Sequence, residues 1–321
     1  MENSRILISC VNTLVSLVGI NLSKKQAFWY CPSNILRSCG VCYGENCLYV
    51  STDDSLQRVS KEGITKFSLP GKYEHYAHSV HLIEKGQLGI ADTGNSQIHL
   101  FDGKHFPLSF SPIENWQDIP LDAIHLNDFL PWEGGLLCSA FSFQPFTSWK
   151  KTAFPWMKDG WGCLYYLRRF EQKTVSRIVA TGLQCPHTLV NHEGDVYCCA
   201  SASGDWIHFE KTGQNLLYEK ERIHVTDSHF LRGALRIPNG WLLGGSSQRH
   251  EEERDGMQLY FLSDEGEVSL VWEGGCGEIY DILPWDKTLM PPICEMLSKA
   301  EADEEMEGDF PLPFSLPKEY Q

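Results

Sequence analysis

The stretch His78-Ser-Val-His-Leu-Ile-Glu-Lys-Gly86-Gln-Leu88-Gly-Ile90, continued by Ala91-Asp-Thr-Gly-Asn-Ser-Gln-Ile-His-Leu-Phe-Asp102, decides the fold. It opens on an ionisable residue, runs through apolar positions to a Gly-containing turn, runs apolar again, then turns and runs a third time. Short apolar runs bounded by Gly and Asn turns read as a hairpin extended by a third strand. The same grammar returns at His187-Thr-Leu-Val-Asn-His-Glu-Gly194-Asp-Val196 and at Arg232-Gly-Ala-Leu-Arg-Ile-Pro-Asn-Gly240-Trp241. Looser copies begin at His125 and Cys39, and Glu278-Ile-Tyr-Asp-Ile-Leu-Pro284 supplies a sixth first strand with no partners after it.

The six anchors, Cys39, His78, His125, His187, Arg232 and Glu278, are separated by 39, 47, 62, 45 and 46 residues. A four-stranded propeller blade takes about 40 to 50 residues. The partners missing after Glu278 are expected from the other end of the chain, from Arg5 to Ser9 and Val15 to Asn21. The expected fold is therefore all-β, a six-bladed β-propeller closed by pairing of N- and C-terminal strands, with seven blades as the alternative. One domain spans residues 1–288, interrupted by an aromatic-rich insertion at 141–160, and residues 289–321 form an acidic, Pro-containing C-terminal extension.

The 321 residues carry 27 Lys+Arg against 42 Asp+Glu, a net charge of −15, and no long run of cations. Such a mean field repels a polyanion and argues against nucleic acid. Hydrophobic residues at 42% and charged residues at 21% suit a packed core. The run from Ile6 to Ile20 is broken by Ser9, Asn12, Thr13 and Ser16, so it reads as neither signal peptide nor membrane span. Twelve scattered cysteines read as reduced thiols of a cytoplasmic protein. Cys39-x-x-Cys42 has zinc-ligand spacing, but no second pair completes four ligands.

First strands of propeller blades line the central channel, so equivalent positions converge at one end. The anchors there form the candidate site: His78, His125, His187 and Glu278 as ligands of a divalent ion such as Zn²⁺, Fe²⁺ or Mn²⁺. Three imidazoles and one carboxylate leave a coordination position open for water or substrate. His125, His187 and Arg232 are the candidate catalytic residues, Arg232 orienting an anionic group. Asn127, Asp128 and Asp281 follow on the same strands and are expected to fix the histidine tautomers. His75, His81, His99 and His105 fall off this phase and read as surface or rim residues. No Gly-x-x-x-x-Gly-Lys, His-Glu-x-x-His or Gly-x-Ser-x-Gly motif is present, and nothing suggests a nucleotide cofactor.

Ala77-His78-Ser79 with Ala91-Asp92-Thr93-Gly94-Asn95 resembles the repeat of NHL-type propellers. Leu231-Arg232-Gly233, Leu243-Gly244-Gly245-Ser246-Ser247 and Gly277-Glu278-Ile279-Tyr280-Asp281-Ile282-Leu283-Pro284 resemble a bacterial family of conserved hypothetical proteins carrying a domain of unknown function. The resemblance runs over most of residues 5–288 and implies a propeller, with no activity to carry over. In architecture, lactonase and antibiotic-lyase propellers are similar.

Two functions compete. One is a metal-dependent lyase or hydrolase acting on a small anionic or sugar-like ligand at the axial end. The other is a protein-interaction platform using the rim, the aromatic insertion around Trp149 to Trp161 and the acidic tail. Neither calls for a membrane.

Overall fold

The structure, a computed structural model, describes residues 5–303 except 12, 72–73, 85, 114–120, 146–159, 171–172, 214–215 and 247–255. Six four-stranded antiparallel sheets make a six-bladed β-propeller, the expected count rather than seven. Both ends of the chain share one blade. In it β1 (Arg5–Val11) pairs with β24 (Glu278–Pro284), placing Leu7 opposite Leu283, and β2 (Val15–Asn21) and β3 (Gln26–Pro32) follow outward. The second blade is β4 (Val41–Gly44), β5 (Cys47–Ser51), β6 (Ser55–Ser60) and β7 (Gly63–Ser68). The third is β8 (Ala77–Glu84), β9 (Gln87–Asp92), β10 (Gln97–Phe101) and β11 (Leu108–Phe110). The fourth is β12 (Leu126–Trp132), β13 (Gly135–Ala140), β14 (Gly162–Phe170) and β15 (Lys173–Leu183). The fifth is β16 (Pro186–His192), β17 (Asp195–Ala200), β18 (Asp205–Lys211) and β19 (Leu217–His224), and the sixth is β20 (Phe230–Ile237), β21 (Gly240–Ser246), β22 (Gly256–Ser263) and β23 (Val268–Cys276).

Local chemistry explains the hairpins. Between β12 and β13 stand Glu133 and Gly134 at φ 49° and 71°, and between β16 and β17 stand Glu193 and Gly194 at φ 55° and 94°. Positive φ at both central residues of a two-residue loop marks the turn whose twist matches that of the flanking strands.

The chain packs as two compact units, Met1–Val50 with Gln57–Lys66 and Ser228–Gln321, and Ser51–Leu56 with Phe67–Asp227. In the second unit, Ala91, Ile98 and Leu100 of the third blade pack with Leu126, Phe129 and Cys138 of the fourth. Leu130 and Leu164 of the fourth pack in turn with Leu189, Val196 and Ile207 of the fifth. In the first unit, Ile6, Val18 and Ile279 pack with Leu242 and Leu259. A sheet covered on both faces needs apolar residues at consecutive positions, which is why β10 is buried throughout. Burial pushes the thiols of Cys163 and Cys294 up to about 12, so both stay protonated and unreactive.

Within each unit, polar straps tie one blade to the next. A hydroxyl at the end of a second strand donates to a backbone carbonyl of the following blade's inner segment. Ser9 Oγ reaches Cys39 O at 2.5 Å, Thr93 Oγ1 reaches Leu126 O at 2.5 Å, and Ser246 Oγ reaches Ile279 O at 2.9 Å. Ser51 Oγ donates likewise to His78 O. Carboxylates on first strands do the same work from the other side. Asp128 Oδ2 accepts from Leu189 N at 2.6 Å, Asp128 Oδ1 accepts from His81 Nε2 at 2.6 Å, and Asp281 Oδ2 accepts from Val41 N at 3.4 Å. Burial works to raise the Asp128 pKa, yet the His81 charge and hydrogen bond and the Leu189 amide outweigh it and hold this carboxyl below its ordinary value.

After β24 the chain forms α1 (Met290–Asp303), inside the C-terminal extension. Asp286 Oδ1 accepts from the backbone N–H groups of Thr288 at 2.8 Å and Leu289 at 2.9 Å just ahead of it, and Pro291 and Pro292 sit in its first turn, where their missing N–H groups cost nothing. Met290, Ile293 and Leu297, spaced along one helical face, are buried with Leu7, Leu17, Cys31 and Leu48. No helix among the described residues is long and apolar enough to cross a membrane.

Two outcomes follow for stability. Ile293→Ala should cost about 3 kcal/mol in denaturant unfolding, because it opens a cavity under α1. Asp128→Ala should cost about 3 kcal/mol, since it strands the His81 ring and the Leu189 amide. Because the folded Asp128 pKa lies below its ordinary value of 3.8, its contribution is complete above that pH and is lost as pH falls through the lower folded value. The wild-type stability curve should thus drop more steeply below about pH 4 than that of Asp128→Asn, as read by unfolding at stepped pH.

Candidate functional site

Four of the anchors, His78, His125, His187 and Arg232, sit beside a break in first-strand register. The β8–β9 ladder slips between Ala77 and Val80, β12–β13 between Leu126 and Asp128, β16–β17 between His187 and Leu189, and β20–β21 between Leu231 and Ala234. A bulge re-aims the side chains beside it, and bulges gather next to active sites. The backbone is strained there as well: His125 has φ 51° and Thr188, a β-branched residue, φ 27°.

In the second unit the three anchor histidines stand in a row with an aromatic wedge. The rings of His78 and His125 meet edge to face at 5.5 Å, His125 lies against Phe141 at 4.3 Å, and Phe141 meets His187 at 4.9 Å. Phe141, buried and read from sequence only as the start of the insertion, separates His125 from His187. Each imidazole uses the same nitrogen to hold itself. His78 Nδ1 lies 2.8 Å from Tyr76 O, His187 Nδ1 lies 3.0 Å from Cys185 O and 2.7 Å from Ser201 Oγ, and His125 Nδ1 lies 3.0 and 2.9 Å from the two Asp122 oxygens. Carbonyl and carboxylate oxygens only accept, so each Nδ1 carries the proton and each neutral ring keeps its lone pair on Nε2. Asp122 is a functional candidate that the strand grammar missed; the spacing Asp122-x-x-His125 was its signal.

The residues expected to orient these rings do other things. Asp128 binds His81 and the Leu189 amide, as above, and Asp281 accepts from Val41 N and from its neighbour Ile282 N at 2.9 Å. Asn127 comes nearer to expectation: its Nδ2 donates to His125 O at 3.0 Å, while its buried Oδ1 has no hydrogen-bond partner among the described residues. In the first unit Arg232 Nη1 is ion-paired with Glu278 Oε2, both largely buried, so each neutralises the other. Arg232 Nε has no hydrogen-bond partner among the described residues. Cys39 and Cys42 are half-buried, and Cys47 is buried.

Metal-ligand geometry appears elsewhere. Among the described residues, the one group of three or more His, Cys, Asp or Glu side chains with ligand atoms mutually within 4.8 Å is His75, Asp92 and His99, in the second unit. Among the described residues, the predicted ligands His78, His125 and His187 of the second unit do not form such a group, Phe141 standing between His125 and His187; Glu278, in the first unit, is held by Arg232. His75 and His99 were expected at the surface; instead His99 is fully buried and the His75 side chain is only 15% exposed. His105 is exposed, as expected, and His81 is spent on Asp128. Asp92 Oδ2 lies 2.6 Å from His75 Nδ1 and 3.1 Å from His99 Nε2. Burial opposes ionisation of Asp92, but the two histidines hold its carboxyl well below the usual carboxylate range, and the bond to Asp92 raises the His75 pKa.

The two groups share a scaffold. Thr93 N donates to Tyr76 O at 3.2 Å, the carbonyl that also holds His78, and Asp122 N donates to Gly94 O at 2.8 Å. A side chain at position 94 would strike the carbonyl of Glu74, so this close crossing requires glycine. Most of the aromatic insertion, residues 146–159, the charged loop from Arg249 to Asp255 and the acidic tail from residue 304 lie outside the described residues.

Neither a protein-family model nor a curated protein sequence matches the chain. Solved structures do. A protein of unknown function from Bacteroides caccae is similar with a TM-score of 0.58 at 15% identity, over 87% of this chain and 97% of that one. A calcium-binding regucalcin from Agrobacterium tumefaciens is similar with a TM-score of 0.50 at 13% identity, over 72% of each chain. A streptogramin B lyase is similar with a TM-score of 0.52 at 7% identity, over 84% of this chain and 83% of that one. At these identities the shared property is the propeller fold.

Proposed function

We propose that this chain is a small-molecule propeller whose reactive group is the His125–Asp122 pair, performing acid–base chemistry of the lyase or hydrolase class. The observation that carries the reading is the carboxylate on Nδ1 of a half-buried histidine held at φ 51°. A carboxylate there fixes the tautomer, leaves Nε2 as base, and stabilises the imidazolium that forms when the base takes a proton. That proton would come from an acidic carbon, in an elimination, or from a water attacking an ester. His78, edge-on to His125, would donate a proton from Nε2 to the leaving group in its imidazolium form, taking that proton from solvent, and Phe141 offers an apolar wall to the planar part of a ligand. His187, deeply buried, has no proton-transfer role in this proposal, and in the first unit the Arg232 charge is matched by Glu278. No step in this proposal passes through a metal.

The competing role, a protein-interaction platform, draws on segments outside the described residues and on the exposed apolar side chains Val175 and Ile178 of β15 and Tyr218 of β19. The strained His–Asp pair is not needed for that role, which is why the catalytic reading is preferred.

The test is His125→Ala and Asp122→Asn, assayed against lactones and against esters bearing an eliminable β-substituent. His125→Ala should lower kcat at least about 100-fold, and Asp122→Asn should lower it less while shifting the acidic limb of the pH profile. In parallel, ¹⁵N spectra should show the Nδ1–H tautomer at His125 in the wild type and its loss in Asp122→Asn. Turnover that survives His125→Ala, or an Nε2–H tautomer in the wild type, would refute the proposal.

A further inference from the structure

We infer that His75, Asp92, His99 and Asn95 form a closed divalent-metal site of the zinc type, separate from the His125–Asp122 pair. His99 lies on β10, diagonal to Asp92 at the end of β9, since Asp92 faces Gln97 and Ile90 faces His99 across the hairpin. Diagonal neighbours on one face of a sheet are within reach of an imidazole. Asn95 stands in the turn between the strands, and His75 arrives from the segment ahead of β8.

The cluster gathers its polar side chains on one carboxylate oxygen. Asp92 Oδ2 receives His75 Nδ1 at 2.6 Å, Asn95 Nδ2 at 2.8 Å and His99 Nε2 at 3.1 Å, three groups on one oxygen. Asn95 Nδ2 also lies 3.1 Å from His75 Nδ1. The ligand atoms of His75, Asp92 and His99 lie within 4.8 Å of one another. A cation among them would be met by lone pairs of both imidazoles and of Asp92, and a half-turn of the Asn95 amide, which exchanges its nitrogen and oxygen, supplies Oδ1 as a fourth donor.

The surroundings fit. His99 Nδ1 is held by Ser109 Oγ at 2.7 Å, which points Nε2 at Asp92, the outer-sphere support that metal-binding histidines usually have. Asp92, His99 and Asn95 are buried, and His75 alone reaches solvent, so it is the route of entry. Two imidazoles with two oxygens suit Zn²⁺ or Co²⁺ better than Ca²⁺, which prefers six or more oxygens. Four protein donors leave no open position, so the ion would be structural, clamping the turn whose Thr93 and Gly94 hold Leu126 and Asp122. Gly71 makes the room: a Cβ there would stand 2.5 Å from His75 Cε1 and 2.7 Å from Asn95 Nδ2.

The test is titration of chelator-treated full-length protein with Zn²⁺ and with Co²⁺, read by calorimetry, by Tm and by the visible spectrum of cobalt. Wild type should bind one equivalent, rise in Tm and give a tetrahedral cobalt spectrum. His75→Ala, at the least buried ligand, should keep the fold and lose that equivalent; Gly71→Ala and Ser109→Ala should weaken it by about tenfold or more. His125→Ala should bind as wild type does, which keeps this site's fate apart from that of the proposed catalytic pair. Wild type that binds neither ion stoichiometrically, an octahedral cobalt spectrum, or binding unaltered in His75→Ala would overturn the inference.

Discussion

The structure depends on hydrogen bonds that let one blade hold the backbone of the next. A bulged first strand leaves backbone groups unpaired inside the protein, and a buried unpaired group costs about 1–3 kcal/mol. Ser9, Ser51, Thr93 and Ser246 answer this with hydroxyls, and Asp128 and Asp281 with carboxylates. Apolar packing between sheets is not directional and would tolerate a slip; these short polar contacts do not. They set the register in which the anchors are presented, and they allow bulges beside His78, Asn127, Thr188 and Arg232.

This constraint also limits what the anchors can do. Asp128 cannot orient His125 while it carries His81 on one oxygen and the Leu189 amide on the other. Glu278 balances Arg232 in a buried pair, since a lone guanidinium there would be uncompensated. Deep in a propeller, polar side chains are first claimed by the polypeptide itself. His125 is held in the same way, its Nδ1–H accepted by Asp122.

Turn 92–96 ties the two histidine groups together. Its Asp92 gathers two histidines, its Thr93 straps β12, and its Gly94 carbonyl receives the amide of Asp122. Whatever rigidifies this turn also positions the His125–Asp122 pair.

The sequence by itself determined the propeller, its six blades and the blade shared between the termini, because anchors and hairpin turns recur at a blade's length and a sheet covered on both faces must be apolar at consecutive positions. It also placed His78 and His125 in one phase, and they do meet. It did not reveal α1, where Pro291, Pro292 and the acidic residues hid the Met290, Ile293 and Leu297 stripe, nor Phe141 as a wedge between two anchors. It missed the His75–Asp92–His99 group because strand phase counts residues along one strand, whereas these meet across a hairpin diagonal and from a preceding loop. Which side chains share an oxygen is decided by register, bulges and turn geometry, and those exist only once the sheets are paired.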